Sequence, residues 1–235
     1  MRIVIWNCNN GMGKAAQIDY FQNINADIAI LPEMKEANIP LLEPSSSVWI
    51  TNNTEHQKPK GLGILAFNGI KLAQLERDSD MEIFIPLRVT TPKIEFNLLA
   101  LWNFYYASKQ GRFKGAKGEA SLEWAAMKYF KKLFTSHCLV GGDWNFGPTF
   151  SLSAFLRLCR EFEESEMKSL YHQHHQLEPS ETMHSTFRSP KGAYHHLDHF
   201  FGSEMFTASL SNYEIKNIDT AVLSDHAPVV ADFDL

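Results

Sequence analysis

Long hydrophobic runs are missing from this sequence: none approaches the ~18 residues that a membrane-spanning helix needs, which excludes a helical span. Cysteine is scarce. Cys8, Cys138 and Cys159 are an odd number without zinc-binding or redox spacing, which argues against a disulfide scaffold and suits a reducing, cytoplasmic location. An excess of basic charge is also lacking, since 22 Lys and Arg face 27 Asp and Glu for a net charge of −5. With a pI near 6.1, the chain does not have the footprint of a protein held to nucleic acid mainly by charge. Any polyanionic substrate must be met locally, by a basic patch or a metal ion. Repeats, low-complexity tracts and long linkers are absent too, so residues 1–235 are expected to form one domain. What is present is an ordinary globular composition, 44% hydrophobic and 21% charged over 235 residues, enough for a substantial core. After Arg2 only Ile3 to Trp6 are apolar before polarity returns, so the N-terminus reads as a buried strand rather than the apolar core of a secretory signal.

Ile3 to Trp6 predicts a strand, Ala15, Ile18, Phe21 and Ile24 one apolar face of a helix, and Asp27 to Leu31 a second strand. If the strands are parallel with the helix as crossover, their C-terminal ends share one sheet edge, which brings Asn7 and Glu33 together. Between residues 60 and 105 the helical period disappears, and Leu62–Phe67, Met81–Val89 and Ile94–Trp102 predict an antiparallel meander. Leu122, Ala125, Ala126, Tyr129, Phe130 and Leu133 predict a second helix, which leads into a short buried strand, Cys138 to Asp143. A third helix is expected over Leu152–Phe162, with Phe155, Leu156, Cys159 and Phe162 on its apolar face. The polar, His-rich stretch Glu163–Pro190 is expected to be irregular, and Leu197–Phe201 and Val229–Phe233 to be the last strands. Strands outnumber helices and mix hairpins with crossovers, which points to an α+β architecture of two packed sheets with helices outside.

Five short clusters could carry chemistry. In Gly142-Asp143-Trp144-Asn145 an extended backbone would put Asp143 and Asn145 on one side, although an isolated Asp-x-Asn more often just ends a strand in a turn. Ser224-Asp225-His226 offers an imidazole that titrates near working pH, the default acid/base group when carboxylates are close; alone it would more often be a capped turn. Asp198 lies in an aromatic-rich strand, where a carboxylate must be paired and an imidazole is a suitable donor. Trp6-Asn7 and Pro32-Glu33 end the first two strands with oxygen donors of the kind a hard divalent cation takes, Mg²⁺ especially. Each is weak alone; the order of the five is informative.

That order, Trp6-Asn7, Leu31-Pro32-Glu33, Gly142-Asp143-Trp144-Asn145, Leu197-Asp198 with Phe201, and Ser224-Asp225-His226, resembles the endonuclease/exonuclease/phosphatase superfamily over residues 3 to 233. Lys60-Gly61-Leu62-Gly63-Ile64 looks like the family's glycine-bearing central strand, and His184-Ser185-Thr186-Phe187 like its Thr-aromatic segment. The resemblance implies a DNase I-like fold: two packed mixed β-sheets forming a sandwich flanked by helices on both sides, four layers in all. It implies that Glu33 binds Mg²⁺ directly, with Mn²⁺ as a substitute, and that Asn7 and Asp225 position or hydrate the ion. Asp143 and Asn145 would orient the attacking water and the scissile phosphate. His226, aligned by Asp198, would stabilise the transition state or act as the base. Asn103 stands where the family often has a strand His or Tyr, and the resemblance places His184 and His196 near the phosphate. His196 also stands where many members have Arg.

The segment Ser108 to Gly118 carries Lys109, Arg112, Lys114 and Lys117 without an acid, so it could close on a phosphate backbone, with Phe113, Tyr105 and Tyr106 as stacking faces. A solvated loop capping the next helix is an equally good reading. Seven of the ten histidines fall between His172 and His199, but without paired cysteines or a His-Glu-x-x-His helix they are expected to be mostly surface or supporting residues. The leading reading is a Mg²⁺-dependent phosphodiesterase, a nuclease for DNA or RNA. Two alternatives are a phosphatase or phosphodiesterase for a small phosphorylated molecule or lipid headgroup, and a catalytically silent nucleic-acid-binding module. No membrane association is expected, and no obligate protein partner can be inferred.

Overall fold

Ile3 and Ile5 face one side of the first strand while Val4 faces the other, and all three are fully buried, so the unbroken apolar run marks a strand covered on both faces. The computed structural model describes residues 1–9, 11–51, 59–81, 84–103, 113, 116, 121–217 and 223–235. In it β1 (Arg2–Ile5) leads through α1 (Ala15–Ile24) to β2 (Ile28–Met34), and the two strands are parallel, with Ile3 opposite Ile28 and Ile5 opposite Ile30. With β3 (Ser46–Ile50), β4 (Gly61–Ala66), β13 (Leu210–Ile215) and β14 (Val229–Phe233) they form a first sheet in the order β13-β14-β1-β2-β4-β3. The second sheet joins β5 (Lys71–Gln74), β6 (Phe84–Thr90), β7 (Glu95–Trp102), β8 (Cys138–Asp143), β12 (Asp198–Gly202) and β9 (Lys168–Ser169), in that order. It too contains one parallel pair, β7 with β8, whose crossover includes α2 (Leu122–Phe130). A separate hairpin pairs β10 (Phe187–Arg188) with β11 (Tyr194–His195).

Side-chain alternation sorts the core into three slabs. Val4, Ala29 and Leu31 pack outward against Phe21 and Ile24 of α1. Ile3, Ile5, Ile28, Ile30 and Ile64 pack inward against Ile85, Leu98, Ala100, Leu139 and Phe200 of the second sheet. Beyond that sheet, Leu99, Leu101 and Val140 meet Trp124, Met127 and Phe130 of α2 and Phe155, Leu158 and Phe162 of α3 (Leu152–Glu163). The layers therefore run helix, sheet, sheet, helix. Close approach between the sheets needs Gly141, where a Cβ would lie 2.6 Å from the Phe200 ring and 3.2 Å from Ile30 Cδ1.

Several sequence expectations need correction. The strand read at Leu62–Phe67 does not join the meander: β4 pairs with β2 and β3 in the first sheet, one place in from its edge, and the meander is β5-β6-β7. Periodicity reports a strand but not its sheet. In α1 the buried positions are Gln17, Phe21 and Ile24, with Ala15 exposed, and in α3 Leu158 rather than Leu156 completes the buried face. Residues 163–190 are not irregular throughout, because Leu170 and Tyr171 of α4 (Leu170–His175) enter the core between the sheets and nucleate a helix amid polar sequence. Of the seven histidines between His172 and His199, His172, His196 and His199 are buried, while His174, His175, His184 and His195 are partly or fully exposed. Phe113 is buried in the cluster under α2 and α3 rather than offered for stacking. Cys8, Cys138 and Cys159 are free and buried. Among the described residues no helix is long and apolar enough to cross a membrane.

Candidate functional site

The two parallel pairs aim their C-terminal ends at one edge of the sandwich. Asn7 and Glu33 lie at the ends of β1 and β2, Asn103 and Asp143 at the ends of β7 and β8. Because β12 runs antiparallel to β8, its first residue, Asp198, stands opposite Asp143. Because β14 runs antiparallel to β1, with Val229 opposite Ile5, His226 just before it reaches the same edge. Residues separated by more than two hundred positions meet by topology alone.

On the first-sheet side, the β2–β4 register is irregular between Leu31 and Met34, and Glu33 sits at φ +63°, a left-handed conformation that costs a non-glycine residue about 1–2 kcal/mol. Trp49 Nε1 donates to Met34 O at 3.0 Å and fixes the bulged end of the strand. Asn7 Nδ2 donates to Asp143 Oδ2 at 3.1 Å and approaches Glu33 Oε1 at 3.4 Å, so one amide links the two sheets. Lys60 Nζ pairs with Glu33 Oε2.

On the second-sheet side, Asp198 Oδ2 lies 2.9 Å from His226 Nδ1, with both side chains almost fully buried. Thr186 Oγ1 accepts from the N–H of Leu197 at 2.9 Å and of Asp198 at 3.1 Å, and Thr186 O accepts from Ala227 N at 2.7 Å. The Thr-aromatic segment thus ties the Asp198 strand to the His226 loop, and the Phe187 ring lies 4.8 Å from that imidazole. Asn145 does not continue an extended strand as expected. It sits at φ +55°, with its N–H donating to Asp143 Oδ1 at 3.0 Å and its Nδ2 to Asn103 O at 2.6 Å. A short Asx turn therefore presents Asp143, and fully buried Trp144 anchors it among Phe84, Phe146, Phe162 and Phe201.

Burial and the neighbouring charge of Asp198 push the Asp143 carboxyl up to about 7, although positive His226 opposes them. For His226 burial favours the neutral ring, but the charge and hydrogen bond of Asp198, together with Asp143, outweigh it and raise the imidazole to about 9. Ligand atoms of Asp143, Asp198 and His226 lie within 4.8 Å of one another and could hold a metal ion. The donor chemistry fits a hard divalent cation: carboxylate oxygens predominate, and Asp198 Oδ1 is buried without a hydrogen-bond partner among the described residues.

Other sequence-predicted residues stand differently. Asp225, which precedes His226 in the chain, is half-buried; with Arg188, Ser189, Pro190, Lys191 and Gly192 it lines a shallow cleft of about 500 Å³. Asn103 is buried, its Nδ2 donating to Trp144 O at 3.1 Å while its Oδ1 has no partner among the described residues. His184 is exposed and contacts Tyr171 and His175 rather than the Asp198–His226 pair. His196 is fully buried, stacked on His199 at 4.6 Å with Nδ1 3.0 Å from Thr182 Oγ1; core packing withdraws it from any surface a phosphate would touch. Lys109, Arg112 and Lys114, with Tyr105 and Tyr106, lie outside the described residues.

Sequence reasoning missed the braces. Buried Gln17 Nε2 donates to Cys8 O at 2.8 Å and Leu223 O at 2.6 Å, which ties the exit of β1 to the Ser224-Asp225-His226 loop. Its signal was present, because Gln17, Phe21 and Ile24 fall at i, i+4 and i+7. Trp6 Nε1 donates to His226 O at 2.9 Å, and Ser224 Oγ donates to Asn7 O at 2.6 Å and accepts from His226 N at 3.1 Å.

No family model matches the sequence, and no curated protein matches it. Solved structures do. The catalytic domain of Xenopus laevis APE2 superposes with a TM-score of 0.69 at 15% identity, covering 99% of this chain and 91% of that one. The 3′ phosphatase NExo from Neisseria, bound to a product DNA hairpin, gives a TM-score of 0.67 at 16% identity over 100% of both chains. An endonuclease/exonuclease/phosphatase family protein from Leptotrichia buccalis gives 0.67 at 10% identity over 100% of both. The chain has the fold of the endonuclease/exonuclease/phosphatase superfamily.

Proposed function

We propose that residues 1–235 form a single domain that hydrolyses phosphodiester bonds with the help of a divalent cation, Mg²⁺ in the first place, and that its substrate is DNA or RNA. The observation that carries this reading is the meeting of the Asp198–His226 pair and Asp143 with Asn7 and Glu33 at one edge of the sandwich. Glu33 and Asn7 would hold the cation, beside Asp143; when bound, it would neutralise charge on the phosphoryl oxygens. Asp198 occupies His226 Nδ1 and favours the imidazolium, which leaves Nε2 to donate toward the charge that grows on phosphate. Asp143, whose carboxyl is raised by burial and by the charge of Asp198, would orient a water and take its proton. Asn145 holds the loop that carries Asp143.

A polyanionic substrate is favoured by the shallow cleft, which brings Arg188 and Lys191 next to Asp225. Backbone bonding fixes that cleft to the catalytic loop, through Arg188 N to Asp225 O at 2.9 Å. The DNA bound to the Neisseria structure supports the same substrate class, and three free, buried cysteines suit a reducing, cytoplasmic setting.

The test is hydrolysis of supercoiled plasmid, linear duplex, single-stranded DNA, RNA and a chromogenic phosphodiester with Mg²⁺, Mn²⁺ or EDTA. Polynucleotide cleavage that EDTA and His226→Ala abolish is the expected result. Cleavage of the small ester alone would refute the nucleic-acid reading, and full activity of His226→Ala would refute the mechanism. Arg188→Ala with Lys191→Ala should raise KM for a polynucleotide about tenfold and flatten its salt dependence by a slope of about 2, at constant kcat.

A further inference from the structure

Lys60 stands just before β4, and the register that sets Gly61 opposite Met34 brings it alongside Glu33. Its ammonium pairs with Glu33 Oε2 while Asn7 Nδ2 approaches Oε1 at 3.4 Å, so both oxygens of that carboxylate already face N–H donors. Thr51 Oγ1 donates to Lys60 O at 2.6 Å and fixes the lysine's backbone. The side chain itself remains 34% exposed, which gives the ammonium a path to water, and a partly exposed ion pair of this kind is weak enough to break. An ammonium and a divalent cation at one carboxylate repel each other and compete for the same lone pairs.

We propose that Lys60 is a resident counter-ion that competes with the divalent cation for Glu33, holding the carboxylate at the site in the metal-free protein and lowering its metal affinity. The inference rests on Glu33 as a metal ligand, and the experiment separates the two. Mn²⁺ is titrated into the metal-free protein without substrate, and the free ion is read by its paramagnetic resonance signal, for wild type, Lys60→Gln, Lys60→Arg and Glu33→Gln. Lys60→Gln should bind Mn²⁺ about tenfold more tightly than wild type, because both competitor and repulsion are gone. Lys60→Arg, which keeps the charge, should stay within about twofold of wild type, which a merely structural role for the lysine would not require. Glu33→Gln should weaken binding by at least about tenfold. Unchanged or weaker binding by Lys60→Gln, with Glu33→Gln impaired, overturns the competition while leaving Glu33 as a ligand. Wild-type affinity in Glu33→Gln removes Glu33 as a ligand and the competition with it.

Discussion

Each sheet ends in carboxylates at the same edge, yet the two sets live in opposite solvation. Glu33, from the first sheet, is 21% exposed and balanced by Lys60. Asp143 and Asp198, from the second, are 1% and 0% exposed, and their positive neighbour is a buried imidazole. Where water reaches, a simple ion pair suffices. Where it does not, the charges must share protons, and the Asp143 carboxyl and the His226 imidazole are both displaced upward. On the proposed function, the open half would take up and release a cation and the closed half would hold a proton in place. Asn7 donates toward both and is the joint between them.

The closed half should be the more costly to break. Asp198→Asn deletes the charge that holds His226 as imidazolium, so kcat should fall about a thousandfold at saturating metal. The imidazole, followed by its NMR titration, should drop from about 9, because burial is then opposed only by the charges of Asp143 and Asp225. A kcat within tenfold of wild type would erase the difference between the halves. Glu33→Gln should cost less, about a hundredfold at fixed Mg²⁺, and more Mg²⁺ should restore part of it. Loss that no concentration of metal relieves would put Glu33 in the closed half's chemistry instead.

The braces come next in size. Gln17→Leu keeps the helix but leaves Cys8 O and Leu223 O without their donor, for an expected loss of about 1–3 kcal/mol in a urea melt. Because the second acceptor adjoins the Ser224-Asp225-His226 loop, kcat should fall with it, by about tenfold. Stability lost at constant kcat would show that the loop is held by Trp6 and Ser224 alone. Gln17 also shows where the sequence stops being legible. The parallel β1–α1–β2 unit could be read from apolar spacing, and it placed Asn7 beside Glu33 because parallel strands share an edge. The facing of Asp198 and Asp143 is a register between strands 55 positions apart, and no local pattern encodes it. The strands β3, β5 and β13 are half-exposed, so their apolar signal is thin. The left-handed turn at Asn145 was hidden because Asp-x-Asn is compatible with both strand and turn, and the capping bond decides.

The buried histidines supply the control for His226. His199 is as deeply buried as the Asp198 carboxylate, but its neighbours are Phe155, Phe201 and His196, and its Nε2 lies 3.1 Å from Phe146 O; among the described residues no carboxylate is paired with it. Burial, with the charge of His172, drives its imidazole down to about 3, and burial takes His172 to about 4. The same desolvation that loses to Asp198 at His226 wins here. A folded-state value below the ordinary 6.5 means that unfolding takes up a proton once pH falls under about 6.5. Stability from His199 is therefore full above that pH and declines toward its folded value, whereas His226, raised to about 9, contributes most below 6.5 and loses its share as pH climbs through 9. Between pH 4.5 and 6, His199→Phe should thus flatten the pH dependence of unfolding free energy by about 1.4 kcal/mol per pH unit relative to wild type, whatever the substitution costs at neutral pH. Parallel curves for the two proteins would mean that His199 is protonated in the fold, and that burial alone does not separate it from His226.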